Sequence, residues 1–194
     1  IEGNTFTVSG LTTSDPSSIN AATLANVISG TAVVTDADGN DVTDQFTVHT
    51  QNGTLEITKR PVALTSADLE KEYDGTALTN GATPLATETG WVVGEGATYT
   101  FTGSQLTVGE SANAFSYEFK EGTLAGNYEI SKNEGMLKVT DRAVKYEITV
   151  VANSNTGNVY DGTAKSATGF ETLTFTIEGN TFTVSGLTTS DPSS

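Results

Sequence analysis

Gly135-Met136-Leu137-Lys138-Val139-Thr140 and, earlier in the chain, Gly53-Thr54-Leu55-Glu56-Ile57-Thr58 share one pattern, G-x-L-x-[IV]-T, in which apolar and polar residues alternate. Period-two alternation puts one set of side chains on a buried face and the other in water, so each stretch reads as a half-buried strand. The same alternation sets Tyr99 and Phe101 against Thr98, Thr100 and Thr102, and frames Phe6, Val8 and Leu11. Further strands are expected at 31–34, 45–50, 115–119, 137–139, 144–151 and 170–177. Between them stand Asp38-Gly39, Asn52-Gly53, Asp74-Gly75 and Asp161-Gly162, pairs that tolerate positive φ and close tight hairpins. The expected fold is therefore all-β: small antiparallel modules strung end to end, with an immunoglobulin-like sandwich as the leading arrangement and a β-grasp-like sheet as the alternative.

One segment competes with this pattern. Asp15-Pro16-Ser17-Ser18 has the residues of a helix cap, and Ala21, Ala22, Leu24 and Ala25 follow it. Ile19, Thr23 and Val27 are β-branched, and Leu24 is the only long apolar side chain at helical spacing. A loop is expected there.

Repetition organises the strands. Residues 1–18, IEGNTFTVSGLTTSDPSS, reappear letter for letter as residues 177–194, so the chain reads as one 176-residue unit followed by the start of the next in a tandem array. Inside the unit lies a weaker repeat. Tyr73-Asp74-Gly75-Thr76 recurs as Tyr160-Asp161-Gly162-Thr163, and the two G-x-L-x-[IV]-T strands, with Arg60 and Arg142 behind them, align at a constant offset of 82. Each unit is thus two diverged modules. Module B is whole at 61–142, whereas module A is divided: 1–60 is its C-terminal part and 143–194 the N-terminal part of the next copy.

Charge and composition exclude several function classes. The chain carries 24 acidic against 9 basic side chains, a net charge of −15, which repels nucleic acid phosphates and anionic lipid. Neither nucleic acid nor membrane insertion is expected. There is no cysteine, hence no disulfide framework and no thiolate metal site. His49 is the only histidine and has no partner for a zinc site or a nucleophile–base pair, so no enzyme activity is expected.

The YDGT segments, each followed by a Gly-rich strand-forming stretch, and Ala125-Gly126-Asn127-Tyr128-Glu129-Ile130 before a final strand, resemble the YDG and MBG repeats of large bacterial surface adhesins. The resemblance covers module B almost completely. In module A, Thr43-Asp44-Gln45-Phe46 replaces the A-G-N-Y signature, and the likeness rests on YDGT and the closing strand. The resemblance implies a secreted or wall-attached extracellular protein on a bacterial cell surface, whose repeats extend the chain away from the cell, with no catalytic residues. Repeats of this sort sometimes hold Lys–Asn or Lys–Asp isopeptide bonds; no lysine here stands out for one.

Two sets of side chains are candidate sites. Asp36, Asp38, Asn40, Asp41 and Asp44 place oxygen ligands around an Asp-Gly turn, which suits calcium, although Asp41 and Thr47 stand where an EF-hand loop needs Gly and Glu. The competing reading is a hairpin tip between strands 31–34 and 45–50. Trp91, Tyr99 and Tyr117 would be the ligand-binding aromatics if the module is adhesive and recognises a host glycan or protein; packing in the core is the alternative. Near-identical units favour a structural spacer over many equal binding sites, while avidity supports adhesion. The expected partners are neighbouring repeats, and the divided module A predicts head-to-tail pairing between chains.

Overall fold

In the computed structural model, residues 1–190 are described, and their regular structure is β apart from two short turns of 3-10 helix. In chain order the strands are β1 (Thr7–Thr13), β2 (Ala22–Asn26), β3 (Ile28–Thr35), β4 (Gly53–Ile57), β5 (Arg60–Thr65), β6 (Leu69–Glu72), β7 (Leu78–Thr79) and β8 (Thr87–Thr89). They continue as β9 (Ala97–Phe101), β10 (Ser104–Gln105), β11 (Gly109–Ala112), β12 (Phe115–Phe119), β13 (Tyr128–Asn133), β14 (Met136–Thr140), β15 (Thr174–Ile177) and β16 (Asn180–Thr183). Two single 3-10 turns, Thr43–Gln45 and Ala125–Asn127, are the only helical residues among those described. No helix among them is long and apolar enough to cross a membrane.

The chain condenses into two compact units. The first holds residues 1–65, 87–99 and 117–133. Within it β1 pairs antiparallel with β3, β2 antiparallel with β4, and β5 sits between β13 and β8. Val34, Val62, Leu64, Ala97 and Tyr128 are its buried apolar side chains. The β1–β3 ladder shifts between Ser9 and Leu11, where Gly10 and Gly30 have φ of 77° and 100°. A Cβ on either would stand 2.2 or 2.3 Å from a carbonyl oxygen of the opposite strand, so the backbones approach as only glycines allow.

The second unit holds 66–86, 100–116 and the chain from 134 onward. Its main sheet has β14 between β11 and β6, and its core is Phe115, Leu137 and Val139 with the buried polar residues Ser66, Asn80 and Asn113. Strands β9 and β12 pair with each other and contribute residues to both units. Most pairings are antiparallel, as alternation and tight turns predict. Two are parallel: β5 with β13 and β6 with β14, both at a register difference of 68, from Arg60↔Tyr128 and from Leu69↔Leu137. Leu64 and Leu137 are each 0% exposed, and burying such a side chain stabilises by about 2 kcal/mol.

The internal repeat is reproduced in the hydrogen-bond register. In module B, Gly109↔Val139 and Ser111↔Leu137 pair across β11 and β14. In module A, Ala22↔Ile57 and Leu24↔Leu55 pair across β2 and β4, the same closing-strand positions moved by 82. Residues 22–26 are therefore a strand and not the expected loop. Their β-branched and small residues have a ready edge in β4, and the ladder outweighs a cap that no helix follows.

Two expected strands do not form. Residues 144–151 lie outside every strand, and so do 46–50, which continue from the 3-10 turn. The β3 tip returns through the single bridge Thr35↔Asp41, flanked by Val42 N–H to the Val34 carbonyl at 2.9 Å and Asp36 N–H to the Asn40 carbonyl at 3.0 Å, so the acidic loop is a short turn rather than the end of a two-stranded hairpin with 45–50. Of residues 170–177 only Thr174–Ile177 is a strand, and Phe170 makes a lone bridge to Ala152. In each case the alternation is present and the ladder partner is not.

Candidate functional site

The aromatic residues named from the sequence all lie in the first unit, and the rings of Trp91 and Tyr117 are already occupied. The Trp91 ring meets Tyr128 edge-on at 4.9 Å and Phe119 at 6.1 Å, and Tyr117 meets Phe119 at 5.7 Å. Edge-to-face contacts at these separations are how buried aromatics pack, each worth about 1 kcal/mol beyond area. The indole N–H of Trp91 is buried. Tyr99 donates its hydroxyl proton to Glu88 Oε1 at 2.7 Å, and Tyr128 donates to Glu95 Oε2 at 2.6 Å. Burial first, then the bond to Glu88, push the Tyr99 hydroxyl up to about 12. Trp91→Ala is expected to destabilise this unit by about 3 kcal/mol, the lower end for emptying an aromatic site, read as a drop in the urea midpoint.

The acidic loop is built on its own backbone. Asp36 Oδ1 accepts from the N–H groups of Asp38 (3.0 Å) and Asn40 (2.8 Å), and Oδ2 accepts from Asn40 Nδ2 at 3.0 Å. Asp41 Oδ1 accepts from the Thr43 hydroxyl at 2.6 Å and its N–H at 2.9 Å. These bonds, the Asn40 and Thr43 side chains foremost, hold both carboxyls below the usual range. Asp44 lies in the following 3-10 turn. Asp36 and Asp41 turn their side-chain oxygens to protein donors, and among the described residues no group of three or more His, Asp or Glu is gathered to hold a metal ion.

Both YDGT segments are the turns expected of them, and each is held by a lysine the sequence did not single out. Asp74 Oδ1 accepts from the Thr76 N–H (2.8 Å), the Thr76 hydroxyl (2.7 Å) and Lys71 Nζ (2.7 Å). Asp161 repeats the arrangement with Thr163, and Lys165 reaches it from the other side of the turn, at 2.9 Å to Oδ2. One lysine precedes its Asp by three residues and the other follows by four, so no alignment of the modules pairs them. Tyr73 is half-buried, whereas Tyr160 is 94% exposed.

These contacts give the turns a defined acid response. The Lys71 side chain, then Thr76, keeps Asp74 far below the usual range, and Thr163, then Lys165, lowers Asp161 from 3.8 to about 2. A carboxyl depressed in the fold contributes stability that is complete above its unfolded value and is lost as pH falls through the folded one. The turn at Asp161 is therefore expected to persist down to about pH 4 and to loosen between about pH 4 and pH 2. The carboxyl carbon shift of Asp161 followed by NMR checks this; a midpoint near 3.8 would contradict it.

One groove was not visible in the sequence. It lies in the first unit, has a volume of about 560 Å³, and is lined by Phe6, Val8, Val34, Phe46, Val48 and His49 among others. Val8 and Val48 are 53% and 36% exposed, so the groove is an apolar surface left uncovered beside the strandless residues 46–50. Another, of about 270 Å³, runs past Ile57, Arg60, Val92 and Tyr128. No family model, no curated protein and no solved structure matches the chain.

Proposed function

We propose that the chain is a non-catalytic spacer of an extracellular bacterial adhesin-like protein, a stalk segment that carries tension between what it anchors and what it presents. The observation that carries this reading is the parallel pairing of first and last strands in module B. β5 pairs with β13 over six residues and β6 with β14 over four. A pull that separates residue 61 from residue 142 slides each ladder in shear, so the hydrogen bonds within it are loaded together. An antiparallel pair pulled from one end opens one bond at a time. Each bond contributes only about 1 kcal/mol net, and cooperative loading is what turns small terms into a high barrier to forced unfolding.

Composition supports the same role. A net charge of −15 keeps neighbouring modules soluble and apart, and the aromatic cluster serves packing. The junction after module B is braced: Arg142 donates to the Tyr73 carbonyl at 3.1 Å. The test is single-molecule stretching of module B through two pairs of handles. Pulled between residues 61 and 142 it should yield at clearly higher force than when pulled between Gly109 and Thr140, where the β11–β14 ladder unzips from one end. Equal forces in the two geometries would sink the proposal.

A further inference from the structure

Module B shows what a first strand does for its module. β5 lies beside β13 with Val62↔Ile130 and Leu64↔Lys132, and β6 covers the edge of β14 away from β11. Shifting by the repeat offset of 82 sets residues 142–147 of module A against 46–51, with Val144 opposite Val48. Val62 is 2% exposed; its counterpart Val144 is 76% exposed. Neither 142–147 nor 46–51 belongs to a strand. The edge of β4 corresponding to the one β6 covers on β14 carries no strand among the described residues, because the β2–β4 sheet has two strands only.

A second observation brings the same two segments together without the offset, though it does not fix their register. Phe6 and Phe182 are one residue of the duplicated segment. Phe6 packs on Phe46 with ring centroids 4.9 Å apart, and Phe182 packs on Tyr146 at 5.4 Å. If one phenylalanine makes both contacts in a completed module A, Phe46 and Tyr146 share one core. The groove of about 560 Å³ runs along Phe46 and Val48, where the added strand would lie.

We propose that module A is completed between copies of this chain: residues 142–147 of one copy add as a parallel strand against 46–51 of a second, burying Val144 on Val48 and filling the groove. The occupant is a second copy because the segment that fits by register and by the Phe6/Phe182 contact is this chain's own. Donor and acceptor are different surfaces of each chain, so the contact is head to tail and propagates into an open series. The inference deepens the stalk reading and rests on its tandem modules. Its test is separate, since a chain that stays monomeric while module B resists shear fails this proposal alone.

The experiment is analytical ultracentrifugation of the full chain over a concentration series. Wild type should form species of two, three and more copies. Val144→Asp removes the donor and Val48→Asp the acceptor, at positions exposed in the single chain, so each variant should keep its β-sheet circular dichroism and run as a monomer. An equimolar mixture of the two variants retains one working donor and one working acceptor, and should give a dimer and nothing larger. Wild type that is monomeric at every concentration, oligomers that survive either substitution, or a mixture that stays monomeric would each overturn the proposal.

Discussion

Gly135→Ala is expected to cost module B about 3 kcal/mol, the upper end of what overpacking costs, although it adds one methyl group. A Cβ at Gly135 would stand 2.5 Å from the Ser66 carbonyl oxygen and 2.6 Å from that of Ala67. Both are backbone atoms, tied to the closing strand by other bonds: Gly135 N–H to Ser66 Oγ at 2.9 Å and Met136 N–H to Asp68 Oδ1 at 2.7 Å. The methyl can be admitted only by breaking this joint between the first and last strands. Gly53 holds the same place in module A, where a Cβ would meet nothing closer than Asn26 Cβ at 3.6 Å. Gly53→Ala should leave the single chain within about 0.5 kcal/mol of wild type, as surface substitutions do, or raise its stability through lost unfolded-state entropy. Urea unfolding followed by circular dichroism compares the two. If Gly53 is kept small for a first strand supplied by a second copy, Gly53→Ala should also weaken the self-association that it leaves thermodynamically silent in the monomer.

The duplicated segment explains how much of the fold the sequence could disclose. In both copies Glu-Gly takes the same left-handed turn, with φ of 51° and 83° at Glu2 and Gly3 and of 49° and 83° at Glu178 and Gly179. Local chemistry decides that turn. Thr7–Thr13, however, is a full strand against β3 in the first copy, while in the second only the residues up to Thr183 are extended, paired with β15. The described residues of the second copy, 177–190, thus agree with 1–14 where structure is local and differ where it depends on a partner. Alternation revealed which residues turn inward, and the all-β class followed; it could not reveal which strands are neighbours, and so the parallel pairs were not foreseen. Residues 22–26 and 144–151 depart from expectation in opposite directions for that reason, the first finding an edge and the second none.

The candidate sites divide the same way. Trp91, Tyr99 and Tyr117 are recognisable in the sequence as a set, with ligand binding and core packing as the two readings it supports. The carboxylates from Asp36 to Asp44 were recognisable as a turn. The groove along Phe46 and Val48 had no signature, because it arises from a strand that is absent from that place and not from any residue that is present.

Asn113→Ala should rival the glycine substitution, with a loss of about 3 kcal/mol from two buried groups left unpaired. Asn113 is 0% exposed. Its Nδ2 donates to the Ala67 carbonyl at 2.9 Å and to Asn80 Oδ1 at 2.7 Å. Its own N–H donates to the Gly135 carbonyl at 2.8 Å, and its carbonyl accepts from Ser66 Oγ at 2.7 Å. The side chain thus supplies the donors for a loop carbonyl and for a second buried amide, Asn80, which itself donates to the Thr83 carbonyl. Alanine removes both donors, and the cavity it leaves is lined by the acceptors just orphaned. The equivalent residue of module A, Asn26, accepts from Asp15 N–H at 3.0 Å near the surface, where water can replace it. Asn26→Ala should cost less than about 1 kcal/mol. A fall in urea midpoint with unchanged slope for Asn113→Ala, and almost none for Asn26→Ala, is the expected result; equal losses would mean that the joint between first and last strands is not what sets the stability of a module. The same measurement on wild type at a concentration where it associates carries the argument one step further: Asn26 should then become as costly to remove as Asn113, because completing module A turns its surface amide into a buried one.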